Sequence, residues 1–256
     1  MLTNEMIKEV LIEVNPSART FFSNFLEQST GLNPKSASEF TYKQSIQFFK
    51  HIWANALSAG NQRPDYIEKS LQALEPFLSN FHTTAEFRDF NEFSKCLEDF
   101  ASERCDSSQE SDKVIRTTEN LQKLPSVGFK TACLIMRFLC LDSNFFELDK
   151  SKLIPPLDRV NHRIGSQVFG NSFKNKIGKI QASFSKEKTI QFANIGKEVL
   201  GDNMILIDNL WFIGHFYHDG PNCALREVLK IIEFPYMKNV NLPIECPFKK
   251  YGCCRS

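Results

Sequence analysis

No stretch of this chain approaches the roughly 18 consecutive apolar residues that a membrane-crossing helix needs, so no span is expected. No run sustains the two-residue alternation of a strand, and no segment repeats another. An excess of one charge is also missing: 31 Lys and Arg against 30 Asp and Glu leave a formal net charge of +1. Bulk electrostatics therefore do not announce nucleic acid, and any basic footprint has to be local. The opening MLTNEMIKEVLIEV mixes acids and a lysine into its apolar pattern. It reads as an amphipathic helix and not as a secretion signal. Without such a signal, the eight cysteines read as free thiols of a reducing cytoplasm. Cys133 and Cys140, on an apolar helical pattern, read as small buried hydrophobes.

What is present is helical spacing. At 256 residues with ordinary apolar content, the chain is long enough for a core and too apolar to be disordered. Apolar residues recur at three- and four-residue intervals over 5–14, 17–28, 44–58, 64–80, 84–103, 114–123 and 129–141. The pattern resumes near 158–169, 173–183, 186–199, 205–217 and 222–233. Pro16, Pro34, Pro64 and Pro76 punctuate the first half, with Pro64 suited to the first turn of its helix. Residues 104–113 are polar and read as a loop, as does 142–157, which ends in Pro155-Pro156. The expected class is all-α, with about ten helices.

One stretch poses a chemical question. LPSVGFKTACLIMRFLC, residues 124–140, puts Lys130 at the entrance to a helix, where the dipole disfavours positive charge. Leu124-Pro125 closes the helix before it, Ser126-Val127-Gly128 makes a hairpin, and a second helix starts near Phe129. Gly128 suits a positive φ or a close approach by another backbone. The N–H groups that open a helix bind anions, phosphate above all. Such a hairpin grips DNA phosphates through backbone donors and needs no large net charge.

LPSVGFKTA closely resembles the LPGVGxKTA helix-hairpin-helix signature of the endonuclease III-like DNA glycosylase superfamily. Three further segments match that family's order. IPPLDRVNHRIG supplies Asp158 after a proline-containing loop, ANALSAGNQRPDYIEKSLQAL resembles the segment whose loop wedges into the duplex, and ILIDNLWFIGHF resembles the late helix lining the pocket. The 28-residue separation of Lys130 from Asp158, with the last segment, looks most like the archaeal GO (8-oxoguanine) glycosylases.

The resemblance implies two helical subdomains with the active-site cleft between them. One spans 44–165 and holds the hairpin at about 114–141; the other combines 1–43 with 166–256. It implies a monomer acting on DNA that carries a damaged or modified base, in the cytoplasm or on a nucleoid, with no cofactor. Lys130 is then a Schiff-base nucleophile; a helix start and an apolar pocket both disfavour its ammonium form. Asp158 stabilises an oxocarbenium-like transition state. Ser126, Val127, Gly128 and Thr131 hold phosphate, while Asn61 or Gln62 fills the gap left by a flipped nucleotide. Tyr66, Ser17, Asp208 and Trp211 line the base pocket.

Plainer readings stand beside these. Lys130 also fits a solvated helix lysine, Asp158 a helix cap, and Tyr66 and Trp211 core aromatics. His215 and His218, beside Asp219, read as a helix end facing solvent. Cys223, Cys246, Cys253 and Cys254 do not have the C-x6-C-x2-C-x5-C spacing of an iron–sulphur glycosylase, so no metal is expected; zinc on three of them is the alternative. Ser126 stands where the family keeps glycine, and Ser17 where the archaeal branch keeps a base-reading glutamine. The competing functions are a DNA-binding protein without chemistry, or excision of an alkylated or hypermodified foreign base.

Overall fold

The structure, a computed structural model, describes residues 2–59, 63–102, 113–143, 145–181, 184–217, 239–240 and 246–251. All regular structure among them is helical, as the spacing predicts. The chain forms two compact units: Leu26–Ile154, and Met1–Phe25 joined with Pro155–Ser256. These bounds differ from 43/44 and 165/166. Ser29 belongs to the unit Leu26–Ile154, because its hydroxyl accepts the Asn55 side-chain N–H at 2.8 Å.

Helix α1, Asn4–Thr30, is continuous through Pro16, where the sequence predicts a break. Proline removes one N–H and frees the carbonyl four residues back. That carbonyl belongs to Ile12, which, like Pro16 itself, lies on the exposed side of the helix. Val10, Leu11, Val14, Ala18, Phe21 and Phe22 stay buried on both sides of the proline, and this apolar face outweighs the lost bond.

In the unit Leu26–Ile154, α2 (Tyr42–Ser58) opens with a reciprocal cap between Thr41 and Gln44. Helix α3 (Pro64–Leu78) has its proline in the first turn. Helices α4 (Thr84–Arg88) and α5 (Phe90–Ser102) come next, then α6 (Lys113–Gln122) and α7 (Phe129–Arg137), which widens into a π turn over Phe138–Asp142. The core is a cluster of phenylalanines. Phe49 meets Phe87 and Phe93 edge-on at 5.4 and 5.7 Å, and Phe93 lies 4.9 Å from Phe146. Edge-on ring pairs add roughly 0.5–1.5 kcal/mol beyond the area they bury. Cys133 and Cys140 are buried on α7 and its π turn, and burial pushes the Cys140 thiol well above its ordinary pKa. Arg137 and Asp142 form a buried ion pair across this turn at 3.3 Å.

In the other unit, α8 (Arg159–Val168), α9 (Asn171–Ile177) and α10 (Lys186–Leu200) are followed by a 3-10 segment, Gly201–Asp208, and by α11 (Asn209–Tyr217). The spacing over 205–217 predicts one helix; the chain instead changes winding at Asp208. Helices α8 and α11 pack closely at Gly214, where an added Cβ would stand 2.3 Å from Val160 Cγ1. Only glycine permits this approach. The expected helix at 222–233 lies outside the described residues.

Candidate active site

The hairpin between α6 and α7 is built from backbone turns. Lys123 N donates to the Asn120 carbonyl at 3.0 Å, Leu124 N to Leu121 at 3.1 Å and Val127 N to Leu124 at 3.2 Å. Val127 is buried, whereas Pro125, Ser126 and Gly128 are exposed. The left-handed residue is Ser126, at φ 67°. Of the two uses expected of Gly128, a positive φ or a close approach by another backbone, neither is seen: Gly128 sits at φ −83° and ψ 166° as the N-cap of α7, and no atom lies within 4 Å of where its Cβ would be. Ser126 thus adopts a left-handed conformation that a side chain disfavours, so the serine strains the turn.

Gly128 has a different character. Its φ suits any residue, and an added Cβ would meet nothing within 4 Å. Neither backbone nor packing demands a glycine there. What its missing side chain leaves is open space over the start of α7, with no side-chain cap bond to fill it. Lys130 stands two residues later in the first turn, half-buried, and Thr131 is 9% exposed.

The hairpin is tied to the helices behind it. Ser70 on α3 is buried; its hydroxyl donates to the Pro125 carbonyl at 2.8 Å and accepts the Trp53 indole N–H at 2.9 Å. Sequence reading passed over Ser70, since a lone serine in a helical pattern resembles a solvent-facing residue. Tyr66 lies one turn earlier on α3. It is 44% exposed, so it is not a core aromatic, and the Arg63 guanidinium lies 4.8 Å from its ring centre. The wedge candidates Asn61 and Gln62 lie outside the described residues.

The second constellation belongs to the other unit. Asp158 is half-buried and caps α8, its Oδ1 accepting the Asn161 backbone N–H at 2.9 Å. The Asn161 side chain donates through Nδ2 to the Pro156 carbonyl and to Asp208 Oδ1, both at 2.8 Å. Asn161 and Asp208 are each 1% exposed. Asp208 is therefore packed against the loop that carries Asp158, and Asn161 is a polar residue that sequence reading did not single out.

Trp211 is half-buried, 5.4 Å from the Phe22 ring and 4.0 Å from the His215 ring. His215 stands in the last turn of α11, half-buried against the indole, and His218 lies outside the described residues. Ser17 is half-buried on α1, one turn before Phe21, which also contacts Trp211. Ser17, Asp158, Asp208 and Trp211 accordingly share one unit; Tyr66, Ser126, Val127, Gly128, Lys130 and Thr131 share the other.

Among the described residues no three His, Cys, Asp or Glu side chains group as metal ligands. Cys246 is half-buried, while Cys223, Cys253 and Cys254 lie outside the described residues. No described helix is long and apolar enough to cross a membrane. Comparison of the chain with protein-family models, with curated proteins and with solved structures finds no match.

Proposed function

We propose that this chain is a DNA glycosylase with abasic-site lyase activity, acting as a monomer on a damaged or modified base, with 8-oxoguanine as the first candidate. The observation that carries the reading is the hairpin. A left-handed Ser126, an open Gly128 and a lysine in the first turn of α7 stand together, on a turn anchored through Ser70. A phosphate reaching the start of α7 passes through the space that a side chain at position 128 would fill.

The chemistry rests on the two charged groups. In the neutral form, the Lys130 amine attacks C1′ of the flipped nucleotide. The N-glycosidic bond breaks, and the base leaves with the bonding electron pair and takes up a proton. The sugar ring then opens to an imine on Lys130 Nζ. Loss of a 2′ proton expels the 3′ phosphate, and water hydrolyses the imine. Asp158 contributes negative charge where C1′ becomes positive, a stabilisation of several kcal/mol in a dry site. Tyr66 and Trp211 offer faces on which a base stacks. The setting is cytoplasmic or nucleoid DNA.

The test is a panel of duplexes, each with one lesion: 8-oxoguanine, uracil, thymine glycol, an alkylated purine or a glycosylated cytosine. Single-turnover base release is measured, with borohydride present to trap the imine. Release of one base with a trapped complex, abolished in Lys130→Gln while DNA binding persists, is the expected result. Trapping at the wild-type rate by Lys130→Gln removes Lys130 as nucleophile. Tight binding without release from any substrate favours a DNA-binding protein without chemistry.

A further inference from the structure

Asp158 needs only one bond to cap its helix, and the Asn161 backbone amide supplies it at 2.9 Å. The structure holds it with more than that. Asn161 uses both N–H bonds of its side chain, one toward the Pro156 carbonyl and one toward Asp208 Oδ1. The loop is therefore held on both sides of Asp158: upstream at Pro156, and downstream at Asn161. The anchor is a carboxylate 47 residues away that is 1% exposed. Burying a carboxylate is unfavourable, and an apolar residue of similar volume would pack the same space at lower cost.

We infer that Asn161 and Asp208 are positioning residues that hold the Asp158 carboxylate in its working orientation. The inference rests on the glycosylase reading and gives Asp208 a role other than contact with the base. The hydrogen-bond roles make it specific. Asp208 serves Asn161 as an acceptor, and the side-chain oxygen of an asparagine accepts equally well. A valine at 208 fills similar volume and accepts nothing. Loss of the acceptor frees the Asn161 amide to turn, which releases Pro156 and shifts the carboxylate. A displacement of about 1 Å at a reacting centre costs on the order of 10²-fold in rate.

The experiment compares wild type, Asp208→Val and Asp208→Asn in two assays. Single-turnover base release, on whichever lesion the wild type cleaves, requires Asp158. Borohydride trapping on a duplex with a preformed abasic site requires Lys130 but no base release. Asp208→Val is expected to lose about 10²-fold in base release while keeping its DNA affinity and its trapping rate. Asp208→Asn is expected to recover most of the lost rate. Wild-type base release by Asp208→Val overturns the inference. An equal fall in release, trapping and affinity does so too, because it marks a general loss of structure. Should Asp208→Val fail to fold, Asn161→Ala gives the same comparison, since it keeps the backbone amide that binds Asp158. A wild-type protein that releases no base removes the glycosylase reading, and the inference with it.

Discussion

The Ser70 hydroxyl stands between the Trp53 indole N–H at 2.9 Å and the Pro125 carbonyl at 2.8 Å. One small side chain thus joins α2, α3 and the hairpin. Ser70→Ala leaves the fully buried Trp53 donor without its acceptor. The expected loss is about 1–3 kcal/mol of unfolding free energy, measured by urea titration. A variant as stable as wild type would show that this bridge contributes nothing.

The two small residues of the hairpin should respond in opposite ways. Ser126→Gly relieves a left-handed serine and is expected to stabilise by about 0.5–1 kcal/mol. Gly128→Ala adds a Cβ that touches no protein atom, so the change in stability should stay within about 1 kcal/mol. On the proposed function its DNA affinity should nevertheless fall, because the methyl group would occupy the path proposed for phosphate. Unaltered affinity by fluorescence anisotropy would contradict a clamp at Gly128.

Gly214→Ala brings a methyl group against Val160 Cγ1 at 2.3 Å and Ile164 Cγ1 at 3.0 Å. Overpacking of this kind costs about 1–3 kcal/mol. Val160 lies two residues beyond Asp158, so base release should fall along with stability. A melting curve and a rate measurement on the same preparation test both.

The segment Lys249–Tyr251 has a pH signature. Tyr251 OH donates to Glu9 Oε2 at 2.5 Å, and Lys250 Nζ donates to Glu13 at 2.7 Å and Glu9 at 2.9 Å. The Tyr251 bond, then Lys250, holds the Glu9 carboxyl below its ordinary range. That contribution is complete above the ordinary carboxylate pKa and is lost as pH falls through the lowered value. Glu13 and Glu9 raise the Lys250 ammonium, so its contribution is complete below the ordinary lysine pKa and is lost as pH rises through the raised value. Accepting its proton, Glu9 also raises the Tyr251 phenol. An ultraviolet difference titration against Tyr251→Phe should show this phenol ionising late, and Glu9→Gln should return it toward its ordinary range.

The helical class was legible because burial imposes a three-to-four spacing that survives in the bare string; α2 and α6 lie within two residues of their expected bounds. Pro16 misled because the string does not say which face meets water, and only a water-facing proline leaves α1 whole. The turn between α6 and α7 was legible from Leu124-Pro125 and Gly128, yet the left-handed φ fell on Ser126 and not on Gly128, since residue type constrains φ without fixing it. Asn161 and Ser70 were not legible. A polar residue in a helical pattern reads as solvent-facing until its partner is known, and theirs lie 47 and 55 residues away.

The phenylalanine cluster has a consequence for how the protein is made. Phe48 stacks on Phe145 at 6.0 Å, although 97 residues separate them in the chain. Helical proteins usually close their cores through neighbours in sequence, but the cluster of this unit is completed only by Phe145 and Phe146. During synthesis, α2, α4 and α5 leave the ribosome before Phe145 and Phe146 exist to cover them. The nascent chain therefore carries a sticky aromatic surface until the loop after α7 has emerged, the interval in which a chaperone has most to bind.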